Sequence, residues 1–120
     1  DTGQYKRDLE KDYEIFWPIH EYFLSVVKPK IIISNGAQPR EFFKRKMQVD
    51  RASSDEMIMT QLFRGRHQKC TSFKGEIEIY GERQSLQILS IFHLSKWAYE
   101  DYRSGIVWLK SKMDSPDKIN

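Results

Sequence analysis

The side chains best suited to chemistry lie near the end of the chain, in the stretch LSIFHLSKW at 89–97. An apolar run ends there in His93, Ser95, Lys96 and Trp97. A neutral imidazole can donate a hydrogen bond to a developing oxyanion, and a serine ahead of a helix can contact a phosphate or cap the helix. The stretch is therefore either a strand that delivers polar groups to a ligand or a strand end followed by a capped helix.

Basic side chains form two further clusters, Lys44-Arg45-Lys46 and the group Arg64, Arg66, His67 and Lys69. Local density of positive charge is what phosphate binding requires, and the net charge of the chain is +3. A glycine between the two arginines lets a backbone approach closely, and Phe73 and Trp97 are candidate stacking groups. Both clusters also fit solvated faces. The charge pattern therefore permits nucleic acid as a partner without requiring it.

Asn35-Gly36 follows a short apolar run, at a position where α/β folds bind ligands and where plain turns are also common. No glycine-rich nucleotide fingerprint accompanies it. His67 and Cys70 have a spacing that suits a metal, but the sequence contains no second pair to complete a tetrahedral site. It also lacks a serine elbow and a His-Glu-x-x-His motif. We therefore expect no metal and no cofactor.

Length and composition predict one globular domain. The chain has 120 residues, of which 13% are aromatic and 31% charged. No apolar run approaches the roughly 20 residues of a membrane span, and a single cysteine is typical of a reducing compartment. We expect a soluble cytoplasmic protein with a flexible segment at 1–12, an α/β domain at 13–113 and a polar tail at 114–120.

Hydrophobic periodicity predicts the elements that position these residues. Ile15 to Val27 repeats at helical spacing, with a kink or a fresh helix start at Pro18, and the β-branched run Lys30–Ser34 indicates a strand buried on both faces. Pro39 is placed to open a second helix. Ser53 and Glu56 resemble a capping box ahead of a third short helix, Met57–Phe63. The remaining predicted elements are strands at Glu76–Tyr80 and Leu86–Phe92, paired or side by side, and a last helix that ends at Met113.

Two motifs in this order resemble the C-terminal half of the uracil-DNA glycosylase-like superfamily. One is FWPIHEYFLSVVKPKIIISNG, a helix and Lys-Pro-Lys followed by a buried strand and a glycine; the other is LQILSIFHLSKW, a strand that ends in His-x-Ser. The resemblance implies a fold with a short, mostly parallel sheet of about three or four strands and helices packed on it, half of the family's domain. It also implies that His93, Leu94 and Ser95, with Lys96 as a further candidate, match a loop that stabilises a departing base. Leu94 replaces the proline of that loop, and the family's water-activating motif has no counterpart here.

These departures lead us to expect a non-catalytic protein that engages DNA or a DNA-handling protein through the His93–Trp97 loop and the basic clusters. Two alternatives stay open. The chain is a base-excision enzyme or its C-terminal part, or it is a small inhibitor of a phage or host defence complex. Half of such a fold exposes a sheet edge, so we also expect a homodimer or a protein partner there.

Overall fold

A computed structural model describes the backbone at residues 2–63, 65–91 and 99–113, and side chains within 11–59, 67–91 and 103–113. The helices and strands in these residues are α1 (Thr2–Val27), β1 (Ile31–Asn35), α2 (Ala37–Lys46), β2 (Met47–Phe63), β3 (Arg66–Ile79), β4 (Glu82–Ile91) and α3 (Tyr99–Met113). Arg64, the His93–Trp97 loop and the tail at 114–120 lie outside the described residues.

The first helix begins at Thr2, whereas the sequence predicts order only from Tyr13. It continues through Pro18 as a single helix to Val27. Its end is set locally, because Lys28 adopts a left-handed backbone with φ 50° and donates its N–H to the backbone oxygen of Leu24 at 3.1 Å. The proline that follows cannot continue a helix. The chain therefore turns directly into β1.

The four strands form one sheet in the order β1-β4-β3-β2. β1 and β4 are parallel, from Ile31 beside Gln87 to Asn35 beside Ile91, while the β4–β3 and β3–β2 pairs are antiparallel. The predicted mixed α/β class is confirmed, but the expectation of a mostly parallel sheet is wrong. Two-residue turns join β2 to β3 and β3 to β4, and only antiparallel strands can be joined so closely.

The longest strand, β2, occupies a stretch for which the sequence predicts a helix. Ser53 and Glu56 do not cap a helix at Met57–Phe63, because β2 crosses the region and pairs with β3. The Ser53 hydroxyl instead accepts a hydrogen bond from the backbone N–H of Lys74 at 2.8 Å. Met59 is buried while the side chain before it is more than half exposed, which is the period of a strand. The apolar run was too short to separate a period of 2 from one of 3.6.

Helices cover both faces of the sheet. On one face, α1 and α2 pack over a core of Leu24, Met47, Phe73, Ile77, Ile79, Leu86 and Ile88. Gln87 alternates with the last two of these and so faces the other side, where its amide donates to the backbone oxygen of Lys112 in α3. Trp108 of α3 packs there against Met59 and Cys70. In the described part of the chain, no helix combines the length and apolarity that crossing a membrane requires.

Candidate nucleic-acid interface

The carboxyl ends of β1 and β4 meet at one edge of the sheet, which we call the carboxyl edge and define by Asn35, Gly36 and Ile91. The N–H of Gly36 donates a hydrogen bond to the backbone oxygen of Ile91 at 2.5 Å. The Ser90 hydroxyl donates to the backbone oxygen of Gly36 at 3.3 Å. These bonds hold the start of α2 against the end of β4. The His93–Trp97 loop begins two residues after Ile91 in the sequence.

Gly36 makes the sharp entry from β1 into α2 possible. Its backbone has φ 95° and ψ 174°, a combination that residues with a Cβ rarely adopt. It also stands at the cap position of α2 and has no side chain with which to bond the first backbone N–H groups of the helix. Those groups lie at the carboxyl edge, and the helix dipole adds partial positive charge there. The edge therefore suits an anionic or hydrogen-bond-accepting ligand.

Three buried hydroxyls lie in a row one position inside the carboxyl edge. Ser34, Ser90 and Thr71 are neighbours across β1, β4 and β3. Among the described residues, the hydroxyls of Ser34 and Thr71 have no hydrogen-bond partner. Leaving a buried hydroxyl unpaired costs about 1–3 kcal/mol, so such groups call for an explanation. Sequence reasoning missed this row. Ser34 ends one predicted strand and Ser90 lies within another, whereas Thr71 stands outside every predicted element.

The hairpin of β2 and β3 extends beyond the carboxyl edge. Thr71 is the first residue of β3 that pairs with β4, so residues 66–69 lie past the end of the parallel strands. At about 3.4 Å per residue, this extension is roughly 14 Å long. It carries Arg66, His67 and Lys69, and we call residues 59–69 the basic hairpin. The fold thus brings Asn35-Gly36 and one predicted basic cluster to the same edge of the sheet.

Two basic side chains of the hairpin have partners in β2. The Nδ1 atom of His67 lies 2.8 Å from the backbone oxygen of Met59. Since that oxygen can only accept, Nδ1 carries the proton and Nε2 remains for another partner. The Lys69 ammonium lies 3.2 Å from the carboxylate of Glu56. Both groups of this ion pair are substantially exposed, so the pair is weak and can be exchanged for a phosphate.

The other predicted basic cluster lies elsewhere. Lys44, Arg45 and Lys46 end α2, so they are separated from Gly36 by the whole helix, about 15 Å. All three cations lie over aromatic rings: Lys44 over Phe73 at 5.5 Å, Arg45 over Phe42 at 5.7 Å, and Lys46 over Trp17 at 5.2 Å. The Lys44 contact joins α2 to the sheet and the Lys46 contact joins it to α1, while the Arg45 contact lies within α2. The geometry favours a structural role for this cluster over a phosphate contact.

Carboxylates around α2 also engage the cluster. Glu14 accepts a bond from Lys46 at 3.1 Å. Glu41 lies 3.0 Å from Arg40 and 3.7 Å from Lys44. Partial burial raises the pKa of the Glu41 carboxyl, but the hydrogen bonds and positive charges of Arg40 and Lys44 outweigh this effect and hold the pKa below its ordinary value. Two of the three cations in the cluster, Lys44 and Lys46, therefore have carboxylate partners within the fold.

A cleft of about 800 Å³ lies at the opposite edge of the sheet, around the start of β1 and β4. Its wall combines Lys28, Lys30 and Lys74 with Asp50 and Glu76, so its charges offset one another. In α/β sheets, ligands bind outside the carboxyl ends of the strands, where backbone donors of a helix start converge. We therefore assign the candidate interface to the carboxyl edge and not to the larger cleft.

The arrangement at the carboxyl edge is suited to binding. Within the described residues, no cluster of three or more histidine, cysteine or carboxylate side chains can hold a metal ion. No protein-family model matches the chain, and no curated protein and no solved structure matches it.

Proposed function

We propose that this chain is a non-catalytic binding protein that engages DNA at the carboxyl edge, with the basic hairpin and the His93–Trp97 loop as the contacting segments. One observation carries the proposal. β3 extends past the end of β4, so the basic hairpin shares an edge with Asn35-Gly36 and with the strand end that leads to His93. These three segments are far apart in the sequence.

The shape of the hairpin supports duplex DNA as the ligand. A two-stranded antiparallel ribbon is one of the elements that fits the major groove, which is about 12 Å wide. Arginine and lysine on such a ribbon contact phosphates and release counterions, which makes the affinity depend on salt. Helix starts such as that of α2 also bind phosphate oxygens. The proposal therefore predicts salt-sensitive binding with weak sequence preference.

The test is fluorescence anisotropy with labelled single-stranded, duplex and uracil-containing duplex DNA at low and high salt. Arg66→Gln should weaken duplex binding several-fold and reduce the slope of log affinity against log salt by about one. The matched control is Arg83→Gln, which removes the same charge from the exposed opposite end of the β3–β4 pair. His93→Ala and Lys96→Ala should also weaken binding.

Two results would contradict this proposal. One is the absence of retention on any of the three DNAs at low salt. The other is an equal loss of affinity in Arg66→Gln and Arg83→Gln, which would mean that binding follows net charge and not the carboxyl edge. Release of uracil from the third substrate would instead favour the base-excision activity that the resemblance to the glycosylase superfamily implies.

A protein partner is the second candidate, and a different observation favours it. β1 is an edge strand of five residues, and Ile33 at its centre is 54% exposed. An exposed edge strand offers unpaired backbone groups to a strand of a partner, as in β-strand addition. DNA-handling proteins from the same source, offered to the chain in a pull-down, should be retained by the unmodified chain and lost with Ile33→Lys. If Ile33→Lys leaves retention unchanged, the edge strand β1 is not the surface that binds the partner.

A further inference from the structure

α1 turns its larger apolar surface away from the sheet. Trp17 and Leu24 face the core, while six apolar side chains on the outer side are between 52% and 68% exposed: Ile15, Phe16, Ile19, Phe23, Val26 and Val27. They recur at spacings of three and four residues and so form one continuous strip, about 18 Å long. We call these six residues the outer stripe.

The outer stripe is large for a surface that stays in contact with water. Six such side chains, two of them phenylalanines, present on the order of 700 Å². The largest apolar patch on a typical monomer is about 300–600 Å², and a standard protein interface buries about 800 Å² on each partner. The exposed area therefore matches one side of a stable dimer.

We propose that a second copy of this chain docks on the outer stripe, with the two α1 helices antiparallel about a twofold axis. The order of residues in the stripe is self-complementary about Glu21. A twofold rotation through that level brings Ile15 to the level of Val27 in the second copy, Phe16 to Val26 and Ile19 to Phe23. Every apolar level of one helix then meets an apolar level of the other, as an isologous interface requires.

The charges at the two ends of the stripe complement each other in the same arrangement. Asp12 continues the stripe at its beginning, four residues before Phe16, and is exposed. Lys28 and Lys30 are exposed just beyond its end. Antiparallel helices place Asp12 of each copy beside these lysines of the other, and the two helix dipoles are opposed as well. A parallel arrangement would place like charges together.

The other face of α1 argues against a membrane surface as the occupant. Helices that lie on membranes carry lysine and arginine on the face opposite their apolar side. Between residues 11 and 27 of α1, that face is directed toward the protein, and its charged groups are the carboxylates Glu14, bonded to Lys46, and Glu21, which accepts the N–H of Tyr80 at 3.3 Å. This dimer does not depend on DNA binding.

The first test is sedimentation equilibrium of the full chain, whose monomer mass is 14.4 kDa. We expect twice this mass at micromolar concentration. Phe23→Lys introduces two lysines into each dimer and should raise the dissociation constant about 100-fold or more. The matched control is Val107→Lys, an apolar position of α3 that is 70% exposed, which should leave the dimer intact. Circular dichroism establishes that both variants are folded.

Charge reversal tests the antiparallel arrangement. Asp12→Lys and Lys30→Glu should each weaken the dimer roughly tenfold, since each places like charges at two sites in the dimer. The double variant should restore the affinity. A monomer at concentrations on the order of 100 μM would overturn the proposal, as would a dimer that survives Phe23→Lys but is lost with Ile33→Lys, which would assign it to the β1 edge. Failure of the double variant to recover would overturn the antiparallel arrangement.

Discussion

Replacing Gly75 should destabilise this fold more than replacing any of the turn glycines Gly36, Gly65 and Gly81, because Gly75 lets β2 approach β3. A Cβ at this position would lie 2.3 Å from the backbone oxygen of Gln48 and 3.0 Å from the Cα of Val49. Ordinary contacts begin at 3.4 Å, so β2 would have to move by about 1 Å. Backbone atoms cannot rotate aside as the end of a side chain can. Gly75→Ala therefore strains the pairing that carries the basic hairpin.

The expected cost follows from opposing terms. Overpacking costs about 1–3 kcal/mol and a weakened ladder hydrogen bond about 1 kcal/mol, while replacing a strand glycine gains about 0.5–1 kcal/mol. The net loss for Gly75→Ala is therefore about 2 kcal/mol, which thermal unfolding followed by circular dichroism should report as a Tm lower by roughly 8 °C.

Gly81 provides the comparison for this prediction. A Cβ there would have nothing within 4 Å, but φ is 82°, so Gly81→Ala should cost only about 1 kcal/mol from backbone strain. Gly81→Asn, which tolerates this conformation, should cost less. A Gly75→Ala variant that is no more destabilised than Gly81→Ala would show that β2 and β3 do not approach each other this closely at Gly75.

Two further predictions concern polar groups. Thr71→Val removes a buried hydroxyl that has no partner among the described residues and keeps the shape of the side chain, so urea unfolding should show a gain of about 1 kcal/mol; a loss would mean that the hydroxyl is bonded. The hydrogen bond from Lys112 lowers the pKa of Asp55 below 3.8, so ionised Asp55 stabilises the fold above the unfolded pKa, and this stabilisation is lost as the pH falls through the folded pKa. Asp55→Asn should therefore lower the urea midpoint at about pH 6 and leave it unchanged well below 3.8; the same deficit at both pH values would contradict the ion pair.

Several elements could be predicted from local chemistry. The structure contains the predicted helix at α1, the predicted strand at β1 and the glycine entry into α2, because each is set by neighbours in the sequence. The expectation that β1 is buried on both faces is wrong, because β1 is an edge strand and Ile33 at its centre is 54% exposed. The antiparallel pairing of β3 with β4 could also be predicted, since the short turn at Gly81 joins two strands into a hairpin. The predicted helix at Met57–Phe63 was wrong, because this short apolar run fits the period of a helix and that of a strand. Its pairing with β3, which the local pattern does not reveal, makes it a strand.

Local patterns in the sequence were enough to predict the elements with strong periodicity and to select the candidate residues at Asn35-Gly36, in the basic clusters and in the His93–Trp97 loop. They could not predict which candidates share an edge of the sheet, because strand register and direction depend on contacts between distant segments. The folded arrangement of the strands separates Lys44-Arg45-Lys46 from the carboxyl edge and brings Arg66 to it. It also turns the outer stripe of α1 outward, since a helix with two apolar faces can bury only one against a single sheet.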